Sequence, residues 1–106
     1  MRRTVTIMID SSNHQKCTEL IEDGDFIDFA EIVGYSLRFF RDYIEHHDVK
    51  SISKINREFV TGKSVRINER VMEDLMKTGF FKKSEIVDYS LDFYFKYREN
   101  SKRRLQ

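Results

Sequence analysis

Proline and tryptophan are absent from this chain, cysteine occurs once and glycine four times. Without Pro, the breaks between segments fall to Gly. Without Trp, the large packing residues are Phe, present nine times, and Tyr, present five times, so aromatic packing should dominate the core. The single cysteine, Cys17, cannot form an internal disulfide, and nothing points to an oxidising compartment. No apolar stretch approaches the roughly 20 residues needed to span a bilayer. The apolar run in "MRRTVTIMIDSSN" is too short for a signal peptide. The expectation is a soluble protein without membrane contact, in the cytoplasm.

The motifs of catalysis are missing as well. There is no Gly-rich phosphate loop, no G-x-S-x-G and no Cys/His signature, so no catalytic residue is assigned and an enzyme is not expected. His46 and His47 are adjacent, and on a helix they point about 100° apart, too far for a bidentate pair. His14 and Cys17, three residues apart, do share a helix face, but two ligands are too few for a metal. No metal site, cofactor or small-molecule ligand is expected.

What the sequence has is charge and repetition. Charged residues make up 35% and hydrophobic ones 40%, a globular balance. The net charge is +1, but it is unevenly spread. Residues 1–53 carry six Lys/Arg against ten Asp/Glu, net −4, and residues 54–106 carry thirteen against eight, net +5. Six carboxylates and no base lie between Glu19 and Glu31, whereas "KYRENSKRRLQ" holds five bases and one acid. Local fields therefore matter more than the total.

The repetition is explicit. "EIVGYSLRFFRDY" (31–43) and "EIVDYSLDFYFKY" (85–97) agree at eight of thirteen positions. Ile32, Val33, Leu37, Phe40 and Ile44 recur at helical period in the first, and Ile86, Val87, Leu91 and Tyr94 in the second. Each copy predicts a helix with one wide buried face. Asp28 and Glu31 fit a capping box for the first. Upstream, "ELIEDGDF" matches "DLMKTGFF". Gly24 and Gly79 then end an earlier helix in each copy, roughly 12–23 and 68–78, capped by Asp10 or Ser11 and by Asn68. Before those helices run "RRTVTIMID" and "GKSVRIN". In them Val5, Ile7, Ile9, Val65 and Ile67 alternate with Thr4, Thr6, Met8, Ser64 and Arg66, a strand pattern. Each unit reads strand–helix–helix. Between them, Val49, Ile52, Ile55 and Phe59 suggest a short connecting helix that Thr61–Gly62 would end.

One strand cannot survive alone, and two short helices cannot bury their own faces. Two units can, with the strands paired as an antiparallel ribbon and four helices beneath. A two-stranded ribbon fits the major groove of B-DNA. "TVTIMID…LIEDGDF…AEIVGYSLRFF" and "KSVRIN…LMKTGFF…SEIVDYSLDFY" each resemble one motif of the ribbon-helix-helix DNA-binding proteins of the MetJ/Arc kind, over about residues 3–44 and 64–97. Those are normally homodimers. Tandem versions occur among transcription regulators of archaeal filamentous viruses, and this chain resembles them. The fold so implied is mainly α with a short antiparallel β-ribbon, two tandem motifs forming an intramolecular pseudo-dimer. The expected boundaries are 1–47 for the first motif, 48–61 for the connector, 62–98 for the second motif and 99–106 for a basic tail.

The resemblance implies a sequence-specific, double-stranded-DNA-binding transcription regulator. Three alternating outward residues per strand would read base edges: Thr4, Thr6 and Met8, then Gly62, Ser64 and Arg66. Arg66 alone has the forked donors suited to guanine. Gly62 has no side chain, and Lys63 is the expected substitute. Phosphate contacts are expected from Arg2, Arg3, Lys63, Lys82, Lys83 and Ser84, the last three at a helix N-terminus that favours anions. Asp25, Asp28 and Glu31 would repel phosphate at the corresponding place in the first copy. Because one ribbon covers few base pairs, pseudo-dimers are expected to self-associate on DNA. Two other readings remain. One is a protein–protein adaptor or antitoxin-like module on the same fold. The other is a helical structural protein whose strands are not paired.

Overall fold

Alternating β-branched residues and two apolar helical faces generate the whole architecture. The structure, a computed structural model, describes residues 2–49, 57 and 59–105; the side chains of Arg2, Lys83 and residues 102–105 are excepted. Strand β1 (Arg2–Asp10) leads into helix α1 (Ser11–Glu22) and helix α2 (Phe29–His46). Strand β2 (Val60–Asn68) leads into α3 (Glu69–Met76), a 3₁₀ turn over Lys83–Glu85, and α4 (Ile86–Leu105).

The strands pair antiparallel along their full length, from Arg2 opposite Asn68 to Asp10 opposite Val60. This pairing removes the reading with unpaired strands. One ribbon face carries Ile9, Val65 and Ile67, all buried, with Val5 and Ile7 half-buried. The helices close beneath it. The domain is small and mostly helical, and its radius of gyration of 13.5 Å matches the roughly 13 Å of a compact chain this long.

The caps follow the local chemistry. The carboxylate of Asp10 accepts from the Ser12 N–H and that of Asp28 from the Glu31 N–H; the side chain of Asn68 accepts from the Arg70 and Val71 N–H groups. Gly24 and Gly79 have φ of 81° and 76°, left-handed values that glycine adopts at little cost. After α1, Gly24 N–H reaches Ile21 C=O and Asp25 N–H reaches Leu20 C=O, the paired bonds of a Schellman stop.

Ile32, Val33, Leu37 and Phe40 of α2 are buried against Ile86, Val87, Leu91 and Tyr94 of α4. Ile44 is half-buried. Aromatic rings fill the contact: Phe40 lies 5.1 Å from Phe93 and 5.5 Å from Phe81, Tyr35 5.1 Å from Tyr94, and Phe39 4.7 Å from Tyr97. Such tilted pairs add to what burial alone gives.

Two expectations need correction, and a third falls outside the described residues. Thr61 and Gly62 do not end a helix; they belong to β2, which starts at Val60, because the ladder with β1 extends that far. Ile52 and Ile55 of the expected connecting helix lie outside the described residues. The segment 99–105 is not a separate tail but continues α4 to Leu105, since nothing in "RENSKRRL" breaks a helix. No described helix is long and apolar enough to cross a membrane.

Candidate nucleic-acid interface

Strand alternation sends Thr4, Thr6, Met8, Gly62, Ser64 and Arg66 to the ribbon face away from the helices, and all six are exposed. The register joins them as cross-strand pairs: Thr4 with Arg66, Thr6 with Ser64, Met8 with Gly62. They form a polar strip, guanidinium at one end and thioether at the other. A Cβ placed on Gly62 would meet the Met8 sulfur at 3.5 Å, so Met8 covers the space the glycine leaves.

Lys63 does not substitute for Gly62. It pairs with Ile7, so its side chain leaves from the opposite face of the ribbon, where it is exposed.

The flanks differ as their charges imply. At the start of α2 the seat for an anion is taken: Asp28 Oδ1 accepts from the Glu31 N–H at 2.9 Å, and Glu31 Oε1 takes the Ile27 N–H at 3.4 Å. At the start of the 3₁₀ turn before α4, Lys82 is extended and makes no side-chain cap. Lys82 and Ser84 are exposed there, and the Glu85 N–H of the turn donates to the Lys82 carbonyl at 2.9 Å. Arg3 is exposed and pairs with Glu69 at 3.5 Å. The expected phosphate contacts through the side chains of Arg2 and Lys83 lie outside the described residues.

His14 packs its ring 5.9 Å from Phe29, and Cys17 is buried. Burial, and after it the charge of Asp88, push the Cys17 thiol up to about 12. His46 and His47 turn Nδ1 to the carbonyls of Asp42 and Tyr43. Among the described residues no group of three His, Cys, Asp or Glu converges to hold a metal.

No family model matches the chain, and comparison with curated proteins and with solved structures finds no match to it.

Two features of the strip's surroundings escaped sequence reasoning. A cleft of about 380 Å³ lies beside Arg66, between it and Gly34, with Arg38, Asp28 and Glu31 on its walls. At the strip's other end stands a buried polar cluster around Asp88, which is fully buried and accepts from the Asp10 N–H and from Asn13 Nδ2. The signal for both was a single mismatch within the repeat. Where the second copy has Asp88, the first has Gly34. A carboxylate on a buried helix face needs partners, and a glycine in its place leaves room.

Proposed function

We propose that the chain is a transcription regulator that binds double-stranded DNA sequence-specifically, as an intramolecular pseudo-dimer of two ribbon-helix-helix motifs. It lays β1 and β2 in the major groove and reads bases with Thr4, Thr6, Met8, Ser64 and Arg66.

The observation that carries this reading is the register. Aligning the two repeats on Ile9 and Ile67 makes Thr6 the counterpart of Ser64, and these two residues are cross-strand partners. A two-fold relation between the units requires such self-pairing of equivalent positions. It also makes the exposed strip continuous across both strands, and a ribbon of that width is what the groove admits. Lys82 and Lys83 hold the backbone on one flank, while Asp25, Asp28 and Glu31 make the other flank weaker. Phosphate contacts of this kind position the protein, and the strip specifies the sequence.

The experiment is selection of bound sites from a random DNA library, followed by gel-shift titration with selected, random and genomic duplexes. Enrichment of one site, bound more tightly than random duplex, is expected. An absence of both enrichment and retardation would leave the adaptor reading in its place.

A further inference from the structure

We propose that Arg57 is a positioning residue for the ribbon: seated on buried Asp88, its guanidinium holds the Met8 carbonyl and so fixes the Met8–Gly62 end of the base-reading strip. The proposal rests on the DNA-binding reading of that strip.

Asp88 is fully buried on α4. An uncompensated carboxylate there would be very costly, and one held by several donors is tolerated. Its two oxygens accept from the Asp10 N–H at 3.1 and 3.2 Å, and Oδ1 accepts from Asn13 Nδ2 at 3.0 Å. Arg57 Nε lies 2.6 Å from Oδ2, an ion-pair contact rather than a well-aimed hydrogen bond. The other end of the same guanidinium donates to the Met8 carbonyl. Two residues on, the Phe59 carbonyl accepts from the Ser11 N–H at 2.7 Å and from the Ser11 hydroxyl at 3.1 Å. The chain just before β2 is thus fastened to residues 8–13 at several points, with Asp88 as the anchor.

The geometry of the ladder explains why this end matters. In an antiparallel pair, alternate residues turn N–H and C=O toward the partner strand and the others turn them outward. Met8 and Asp10 use their outward groups on Arg57 and Asp88. The pairs Ile9–Thr61 and Arg3–Ile67 therefore carry ladder bonds at the two ends of the ribbon. At the end away from Arg57, the counterpart groups are the Arg66 C=O and the Asn68 N–H, and both residues line the cleft over Gly34. No carboxylate stands where Asp88 would be. Among the described residues, the far end has only the exposed Arg3–Glu69 pair and no buried clamp of this kind, so the height of Met8 and Gly62 above the groove depends on Arg57.

Two variants test this. Arg57→Lys keeps a charge on Asp88 but has no fork to span Asp88 and Met8. The double variant Arg57→Met, Asp88→Asn removes both charges and keeps an oxygen to accept from Asp10. Amide exchange and a base-by-base preference map are measured on each full-length chain. Exchange at Ile9, Thr61 and Ser11 should accelerate by about tenfold or more, as in a local opening, with Arg3 and Ile67 unchanged. Preference should flatten under the Met8 end and persist under Arg66. Equal acceleration at both ends, or no acceleration at Ile9, overturns the clamp. Local acceleration with an unchanged preference map overturns the positioning role. Loss of preference across the whole site makes Arg57 merely structural. If the unmodified chain selects no DNA, the reading of the strip falls, while exchange still decides the clamp.

Discussion

At the scale of single residues, the proposed DNA reading divides labour between the two ends of the strip. Arg66 is the one outward residue with a forked donor. A bidentate contact to guanine supplies about 1–3 kcal/mol of discrimination. Arg66→Ala should therefore relax base preference at one or two positions of the selected site, and Thr6→Ala should do so more weakly. The combined Lys82→Ala, Lys83→Ala change should weaken binding to all sequences about equally and flatten the salt dependence. Titrating the preferred site and its point variants at two salt concentrations measures both effects. A uniform loss of affinity in Arg66→Ala would instead make Arg66 a backbone contact. Away from the strip, Cys17 makes stability depend on alkaline pH. Its thiol is raised from 9.0 to about 12 in the folded chain, so the unfolded chain loses that proton first. The contribution of the neutral thiol is intact below pH 9 and is lost progressively up to about 12, with a slope near 1.4 kcal/mol per pH unit between the two values. Urea melts across that range should fall more steeply for the unmodified chain than for Cys17→Ala.

At the scale of elements, the glycines separate backbone effects from packing. Gly24 and Gly79 have left-handed φ, and a Cβ at either would meet nothing within 4 Å. Alanine there should cost about 1–2 kcal/mol from the backbone alone. Gly34 lies inside α2 with equally open space above it, and alanine there should add about 0.5–1 kcal/mol. Chemical denaturation of the three variants should give these opposite signs. Periodicity, caps and glycine stops make the strands and helices legible in the sequence. Ile9, Leu37, Leu91 and Gly79 sit where the repeat implies, because each obeys a local rule that the fold does not override. The start of β2 was not legible, since Val60 and Thr61 become strand through pairing with Asp10 and Ile9, partners about fifty residues away. The anchor at Asp88 was hidden for a related reason: its donors come from β1, α1 and the stretch before β2, and only folding brings them together. In the strip, residue types and alternation were readable, but which residues face one another across it was not.

At the scale of the whole molecule, both strands of the ribbon belong to one chain, so folding needs no second copy. The melting temperature should be the same over a hundredfold dilution, whereas an obligate homodimer of this fold would melt lower when dilute. A strong shift on dilution would break the pseudo-dimer reading. On the proposed DNA target the opposite is expected. Chains should occupy neighbouring sites about one helical turn apart, so that each ribbon meets the same side of the duplex. A nuclease footprint at saturation should then be wider than one ribbon covers.

Thr4 faces Arg66 at one end of the strip, and Met8 faces Gly62 at the other. A homodimeric ribbon presents the same letters in both directions and is blind to which way it lies. This one has a front and a back. If it reads DNA as proposed, a site that suits it carries an arrow, and turning that site around on the DNA turns the protein with it. Flank Lys82 then points upstream or downstream according to the DNA alone, and so does whatever meets the chain there. Two neighbouring sites can be written head to tail or head to head, and the two spellings are different instructions to the same molecule.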